Sequence, residues 1–414
     1  MHIPSVPLVL IQALGQAADG ARLALIGGAV RDLLLHRIHR DPWRGLPDLD
    51  LVYEARAIDL MPRLQQALPA GSLCSWREHG RFGTVEAEVV LPDCQRWLLD
   101  IASARCEVYP VAAENPRVSP GCLEDDLRRR DFTVNAIALL LLQSDGDSVL
   151  LDPFHGQDDL SQRCLRLLHA TSLLDDPTRL IRAARYSARL GFELSESSLR
   201  QSLSVMAAWP WAWQPGDSPQ SAPPGLGTRL RMELELLFSR EPWPQALRAL
   251  QAWGGLVLLG EGIQESRRWV WALPRASRLG LPLLPVLLAC GRDPVAVAAR
   301  LQLPHRQQRL LRNLVSFRQA LTRLDVSLTR SWSAADWTGW LEQHPDPDQV
   351  VAMALVCGEQ PRRPLLQWWL QWRHVQPELT AHDLIASGLP PGPQIGLRLR
   401  QLRAQRLSEL DGLR

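Results

Sequence analysis

The sequence predicts an α+β protein in which a mixed α/β segment comes first and an all-helical remainder follows. The first roughly 140 residues contain short apolar runs punctuated by glycine, each of strand length. From about residue 159 onwards, apolar residues recur every three to four positions and strand signals disappear. At 414 residues the chain is also longer than one hydrophobic core usually supports, so several packed units are expected.

The elements follow from local patterns. An apolar run at 6–14 predicts a first helix; no basic residues precede it and no small-residue cleavage site follows it, so a signal peptide is not expected. Strands are predicted at 23–26, 49–52, 84–90 and 97–102. A Pro/Gly/Ser-rich stretch predicts a loop at 214–227, and a second break is expected at 345–348. The predicted domains are 1–145, 146–215, 216–330 and 331–414.

Composition narrows the class of protein. Charged residues make up 22% of the chain and leave no apolar stretch long enough for a membrane span, so a cytoplasmic protein is expected. Seven cysteines without a CxxC pair or a zinc-like histidine spacing indicate buried, reduced thiols. Net charge is only +2, but all 46 basic residues are arginines, which suit phosphate and base contacts. An arginine-favouring genome is the simpler explanation of that bias.

Two acids form the first candidate site. Asp48 and Asp50 should project from one side of a strand, since side chains alternate between faces, while Leu49 points into the core. Carboxylates so close repel each other, and Mg²⁺ with substrate phosphates relieves that repulsion. Asp100, in another short apolar strand, is a candidate third catalytic acid. Taken alone, an Asp-x-Asp pair is more often a solvated strand face.

A glycine turn about twenty residues earlier strengthens this interpretation. Gly27 and Gly28 follow the strand 23–26 and precede a helical pattern. Glycine allows backbone N–H groups at a helix start to approach a phosphate closely, and Arg31 offers a planar donor to the same anion. The two features together predict a phosphate cradle facing a metal site. A lone Gly-Gly turn would be an ordinary strand-to-helix connection.

A mixed-charge segment follows at 123–138. Acids precede bases on a predicted helix, which surface salt bridges would explain. Asp131 and Asn135 should stand one helical turn apart on the same face, where they could hold a ribose hydroxyl while Arg130 meets phosphate. A glycine-hinged loop at 79–85 precedes this segment; it is a candidate border of the nucleotide site, and a plain turn explains it as well.

The last constellation is a cationic helix. Pro177 marks its start and Gly191 its end. Arginines recur on it at spacings of three, three and four: Arg179, Arg182, Arg185 and Arg189. Four like charges on one face repel each other, so an anionic partner such as RNA phosphate is favoured over a solvated face.

These segments resemble a known family in both order and spacing. The matching stretches are Gly27-Gly28-Ala29-Val30-Arg31-Asp32, Asp48-Leu49-Asp50, the run from Arg129 to Ala136, and Asp175-Asp176-Pro177-Thr178-Arg179. They resemble the class II tRNA nucleotidyltransferase and bacterial poly(A) polymerase family. Segments 228–234 with 254–256 and 379–384 with 388–393 are similar to its body and tail signatures. Two features depart from its pattern: Asp175 stands where glutamate is usual, and the link 35–47 is longer than usual.

The resemblance implies a DNA polymerase beta-like head followed by helical neck, body and tail domains. It implies that Asp48 and Asp50 bind Mg²⁺. A second set would bind the nucleotide: Gly27, Gly28 and Arg31 at the triphosphate, Arg130, Asp131 and Asn135 at phosphate and ribose, and Asp176 and Arg179 at the base, with Arg182 and Arg185 behind them. An acid and an arginine can match the Watson–Crick edge of C or A by hydrogen bonding.

The implied activity is template-independent addition of C and A from CTP and ATP to the 3′ end of tRNA, with release of pyrophosphate. Addition of CC only, of A only, or of poly(A) remain open alternatives, because the motifs do not separate them. A catalytically silent RNA-binding protein on the same fold is an alternative of another class. The intact pair Asp48 and Asp50 argues against it.

Overall fold

A computed structural model describes residues 3–4, 6–46, 48–80, 83–142 and 148–411. The chain forms two compact units. The first comprises Met1–Gln214 and Pro223–Gly255, and the second comprises Pro215–Ala222 and Leu256–Arg414. The finer division into head, neck, body and tail stays a prediction.

The first unit contains the strands and the first helices. Its strands are β1 Leu23–Ile26, β2 Asp48–Tyr53, β3 Leu73–His79, β4 Thr84–Val90, β5 Arg96–Ser103, β6 Arg105–Val108, β7 Arg117–Pro120, β8 Ala138–Leu141, β9 Ser148–Leu151, β10 Cys164–Leu165 and β11 Glu193–Leu194. Its helices are α1 Leu8–Ala17, α2 Gly28–Arg37, α3 Ala57–Ala67, α4 Leu123–Arg128, α5 Gly156–Ser161, α6 Ser172–Asp175, α7 Thr178–Leu190, α8 Glu196–Ala208, α9 Thr228–Arg240 and α10 Trp243–Ala252.

One seven-stranded mixed sheet organises this unit, in the order β3-β4-β5-β2-β1-β8-β9. Strands β2 and β5 run parallel, whereas β2 pairs antiparallel with β1 and β5 pairs antiparallel with β4. All four predicted strands are present, and two have the predicted bounds. The expectation that the remainder is wholly helical is wrong in one detail, because β10 and β11 form a short parallel pair.

One face of β2 explains why the acids lie where they do. Val52 belongs to a buried cluster with Leu123 and Leu127 of α4. Because side chains alternate, Asp50 and Asp48 project from the same face as Val52, beyond the part that α4 covers. The residues that follow α4 therefore lie next to the acids.

Among its described residues, the second unit contains helices joined by loops and no strand. Its helices are α11 Glu261–Gln264, α12 Arg268–Arg278, α13 Leu283–Ala289, α14 Pro294–Arg300, α15 His305–Arg323, α16 Val326–Thr329, α17 Ala334–Glu342, α18 Pro347–Cys357, α19 Arg362–Leu370, α20 Ala381–Ala386 and α21 Pro393–Asp411. Among the described residues no helix is both long and apolar enough to cross a membrane.

Two compositional expectations can be checked against burial. All seven cysteines are free thiols, but only Cys290 and Cys357 are buried, so the expectation of buried thiols holds for two of them. The chain has 16 tryptophans, some of them clustered at 209–213 and 368–372, for which helix packing is expected over base stacking. Trp211, Trp368 and Trp372 are buried core residues. Apolar helix packing explains these three without a role in base stacking.

Candidate active site

A row of carboxylates crosses three strands of the sheet. Asp50 on β2 is in register with Asp100 on β5, and Asp100 is in register with Glu86 on β4. Asp48, two residues before Asp50, lies on the same face. The structure thus brings together the three acids predicted from the sequence and adds Glu86. Oε2 of Glu86 lies 2.9 Å from Nε2 of His79.

The acids affect one another electrostatically. Solvent reaches Asp50 and Asp100, but the surrounding protein reduces their hydration, and this burial raises the pKa of both carboxyls. For Asp50 the charge of Asp100 adds to the rise and Arg130 opposes it. For Asp100 the charge of Glu86 adds to the rise, followed by that of Asp48. A divalent cation would relieve this repulsion, so the donor set fits a metal such as Mg²⁺.

The glycine turn lies opposite these acids. Strand β1 ends at Ile26, Gly27 takes φ +66° and ψ −133°, and α2 starts at Gly28. A side chain is strained in that backbone conformation, and a Cβ on Gly27 would lie 3.0 Å from Nη1 of Arg130. Glycine at this position therefore allows the guanidinium of Arg130 to approach the start of the helix closely.

A cavity of about 300 Å³ opens between the turn, the acids and α7. It is lined by Gly27, Gly28, Asp50, Glu107, Tyr109, Arg129, Arg130, Asp131, Asn135, Arg179, Arg182 and Tyr186. A second cavity, of about 410 Å³, lies on the β3–β4–β5 side and contains Asp48, Asp50 and Asp100. We name the first the cationic cavity and the second the carboxylate cavity; Asp50 lines both.

Three predicted residues, Arg31, Asn135 and Asp131, are linked by side-chain hydrogen bonds at the floor of the cationic cavity. Arg31 is only 2% exposed; its Nη1 donates to Oδ1 of Asn135 at 2.9 Å and its Nε donates to Asp32. Asn135 in turn donates to Oδ1 of Asp131 at 3.0 Å. Arg31 does not line the cavity, so direct contact between Arg31 and a phosphate stays a prediction.

The local structure around Asp131 differs from the expectation. Helix α4 ends at Arg128, and Asn135 lies in a separate 3-10 turn, Thr133–Asn135, so the two side chains do not share one helical face. They meet because the chain turns back between them, and the Oδ1 of Asp131 also accepts from the backbone N–H of Phe132. In the predicted loop at 79–85, residues 81 and 82 lie outside the described part of the chain.

Helix α7 runs from Thr178 to Leu190, and Gly191 ends it at φ +71°, as predicted. Asp176 is buried just before the helix, where its Oδ1 accepts from the N–H and hydroxyl of Thr178. Arg179 is 4% exposed and donates to the carbonyls of Ser172 and Arg129 at 3.4 and 3.3 Å. Arg179 lines the cationic cavity, whereas Asp176 lines the adjoining larger groove.

The remaining α7 arginines already have anionic partners within the chain. Arg182 lies 3.5 Å from Asp131 and 3.3 Å from Asp176, and Arg185 pairs with Glu233 and Glu241. Burial opposes the charge on Arg182, but the carboxylates around it outweigh that effect and raise its pKa. The anionic partner expected for the helix is thus supplied in part by carboxylates of the same unit.

Besides Glu86, three further residues at the site were missed from the sequence. Glu107 and Tyr109 line the cationic cavity, and Arg179 lies 5.9 Å from the ring centre of Tyr109. Asp126 lies behind the cavity and holds two arginines. None of the three stands in a periodic pattern, and the acid-rich run 124–126 by itself indicates surface salt bridging.

A second group of possible metal ligands has an arginine as its partner. Among the described residues, Glu54, Cys122 and Glu124 are the one set of three such groups whose ligand atoms all lie within 4.8 Å of one another. Arg22 donates to both glutamates, at 2.6 and 2.7 Å. The guanidinium of Arg22 occupies oxygens of both acids, so the group is an ion-pair network and we assign no metal to it.

Comparisons with known proteins agree with this geometry. A family model described as the poly A polymerase head domain matches residues 23–166. A CC-adding tRNA nucleotidyltransferase of Deinococcus radiodurans is 37% identical over 400 residues, which cover 95% of this chain and 87% of that protein. The chain belongs to the tRNA nucleotidyltransferase family. An A-adding tRNA nucleotidyltransferase of Halalkalibacterium halodurans is 31% identical, with coverage of 93% of this chain and 85% of that protein.

Solved structures of this family share the fold. An apo form of a CCA-adding enzyme matches 97% of this chain and 92% of its own with a TM-score of 0.70 and 24% identity. The Thermotoga maritima CCA-adding enzyme complexed with tRNA matches 98% and 93% with a TM-score of 0.67 and 23% identity. The predicted polymerase-type head with a helical remainder is thereby confirmed.

Proposed function

We propose that this nucleotidyltransferase adds C and A nucleotides from CTP and ATP to the 3′ end of tRNA and releases pyrophosphate. The observation that carries the proposal is the shared position of Asp50, which lines both the cationic cavity and the carboxylate cavity. A nucleotide bound on one side would thus place its α-phosphate beside the acids that also face the attacking 3′-hydroxyl. The processing of tRNA suggests a cytoplasmic location.

The cationic cavity has the groups that a nucleoside triphosphate needs. Backbone N–H groups at the start of α2, beside Gly28, favour an anion, and Arg130 approaches the same place. Asp131 and Asn135 would accept from and donate to the ribose. Their mutual hydrogen bond fixes both side chains before the nucleotide arrives, which reduces the entropy lost on binding.

Asp48 and Asp50, with Asp100 beside them, would hold Mg²⁺. When bound, Mg²⁺ supplies charge stabilisation at the reacting phosphates and favours ionisation of the attacking hydroxyl. The acids lie on a rigid sheet and would fix the position of the cation. The arginines at the cavity would orient the triphosphate for in-line attack. No covalent intermediate with the protein is required.

Asp176 and Arg179 are the proposed readers of the base. Arg179 lines the cavity, and its two hydrogen bonds to carbonyls are long, at 3.4 and 3.3 Å, so an incoming base could compete for its donors. Asp176 keeps one oxygen on Thr178 and points the other towards Arg182 and Arg229. Base selection by these side chains requires no nucleic-acid template.

The relatives named above include both a CC-adding and an A-adding enzyme, so the choice of nucleotide needs a direct test. Purified protein should be incubated with tRNAs that end before CCA, after CC, and after CCA, and with an unrelated RNA oligonucleotide. CTP and ATP are supplied separately and together, and products are resolved to one nucleotide. Complete CCA addition extends the first tRNA by three nucleotides and leaves the finished tRNA and the oligonucleotide unchanged. Arrest after CC, extension of only the CC-ended tRNA, or long A tracts would each identify a different member of the family.

A further inference from the structure

A buried acid behind the cationic cavity holds the two arginines that precede Asp131. Asp126 lies in α4 and is 0% exposed. Its Oδ1 accepts from Nε and Nη2 of Arg129 at 2.9 and 2.8 Å, and its Oδ2 accepts from Nη2 of Arg130 at 3.0 Å. Both carboxylate oxygens are thus occupied by guanidinium groups, and Asp126 does not itself line the cavity.

The two arginines turn towards different parts of the site. Nη1 of Arg130 lies 3.0 Å from the position that a Cβ on Gly27 would take, beside the start of α2. The other arginine, Arg129, also donates to Glu107 at 3.1 Å, and its carbonyl accepts from Arg179. Asp126 therefore contacts the side chain at the phosphate end directly and the proposed base reader through Arg129.

The geometry assigns Asp126 as a positioning residue that fixes Arg130 for the triphosphate of the incoming nucleotide. An arginine side chain loses much rotational freedom when it binds an anion, and a buried ion pair removes that freedom beforehand. Within the described residues, Nε of Arg130 has no hydrogen-bond partner, so the group is held mainly through Nη2. Loss of the carboxylate would leave two neighbouring guanidinium groups that repel each other and turn apart.

This inference rests on the proposed function, because it gives Asp126 a role only if Arg130 binds the nucleotide. The test is a double-mutant cycle with D126N, R130A and the double variant, and with E124Q as the matched control. Glu124 lies in the same helix and pairs with Arg22, outside the cationic cavity. Melting curves set an assay temperature at which every variant is folded.

Two readouts are needed: equilibrium titration with CTP and with ATP in the absence of tRNA, and KM and kcat for nucleotide addition. D126N and R130A should each raise the nucleotide KM and dissociation constant by about tenfold, as expected for one charge-assisted hydrogen bond. Because they act through one contact, the double variant should be within about twofold of R130A. E124Q should leave both constants unchanged.

Two results would overturn the assignment. One is a D126N protein that melts lower but binds nucleotide as the wild type does. The other is a double variant whose losses multiply to about a hundredfold, which shows independent effects. If D126N does not fold, D126E retains the charge but displaces it by one methylene; wild-type nucleotide affinity in D126E would equally refute the role. A wild-type protein that binds CTP and ATP without adding them to tRNA would instead refute the proposed function.

Discussion

Asp50 and Asp100 are partners in the register of two parallel strands, and both project from the face of the sheet that carries Asp48. Their positions follow from backbone pairing and do not depend on the rotamer of a long side chain. Burial raises the pKa of both carboxyls; the charge of Asp100 adds to the rise for Asp50, and the charges of Glu86 and Asp48 add to it for Asp100, as expected for acids that gather around a cation.

Asp100→Asn should therefore lower kcat for nucleotide addition by about a hundredfold or more, the usual scale for loss of one electrostatic group at a reacting centre. Nucleotide KM should change little, because the cationic cavity is intact. Glu88→Gln is the matched control: Glu88 lies on the same face and pairs with Arg96 at 2.6 Å. Wild-type kcat in Asp100→Asn would remove Asp100 from the catalytic set.

Gly27→Ala tests the close approach of Arg130 to the glycine turn. The substitution should cost about 1–3 kcal/mol in unfolding free energy, because Gly27 has a backbone conformation that side chains rarely adopt. It should also raise nucleotide KM, since the new Cβ would displace Arg130. Gly20→Ala serves as control, because Gly20 has φ +83° and a Cβ added there would meet no atom within 4 Å. Equal KM values in the two variants would show that strain alone matters.

Arg179→Ala should weaken base selection and lower the melting temperature together. The selectivity loss should reach about 1–3 kcal/mol, the value of a bidentate contact with a base edge. Stability falls because the carbonyls of Ser172 and Arg129 lose a buried donor. Incorporation of all four nucleotides is measured beside a melting curve. Lower stability with unchanged nucleotide preference would leave Arg179 with a structural role only.

The ion pair of Arg22 with Glu124 should make stability depend on pH. The hydrogen bond from Arg22 lowers the pKa of Glu124 from 4.5 to about 2. The pair therefore contributes stability above about pH 4.5, and that contribution disappears as pH falls towards 2. Because the pair is partly exposed, its contribution should stay below about 1 kcal/mol. The stability difference between wild type and Glu124→Gln should shrink as pH falls through this window. In an Arg22→Met background, the pH dependence of that difference should vanish. If the pH dependence persists there, the ion pair is not its cause.

Much of the fold was predictable where the spacing of apolar residues along the sequence matches the repeat of a strand or a helix. The strands 23–26 and 84–90 have the predicted bounds, because apolar residues or strict alternation mark them clearly. Strand β3 was missed because almost all of Leu73–His79 is exposed at the sheet edge and lacks an apolar alternation. Asp131 and Asn135 were placed on one helix because sequence spacing does not reveal that α4 stops at Arg128.

The candidate site was predictable only in part. Residues within recognisable motifs, such as Asp48, Asp50 and Arg130, come together as expected around the cavities. The burial of Arg31 beneath the cavity, and the carboxylates that hold Arg182 and Arg185, depend on tertiary contacts across long sequence separations. No local pattern encodes those contacts. Asp126 pairs with arginines three and four residues away, which a surface helix would also allow, and its burial beside the cavity depends on tertiary packing.

Catalysis of nucleotide addition to tRNA by Asp48 and Asp50 can be tested by substituting either acid. A tRNA that lacks its last three nucleotides is incubated with labelled CTP and ATP and either wild type, Asp48→Asn or Asp50→Asn, while binding of the same tRNA is measured in parallel. We expect extension and pyrophosphate release by the wild type and loss of both in each variant. The tRNA affinity should stay within about twofold throughout, because the acids contact the reacting phosphates and not the body of the tRNA. Extension by either variant at the wild-type rate, or a wild type that binds tRNA and never extends it, would rule out this role of the two acids.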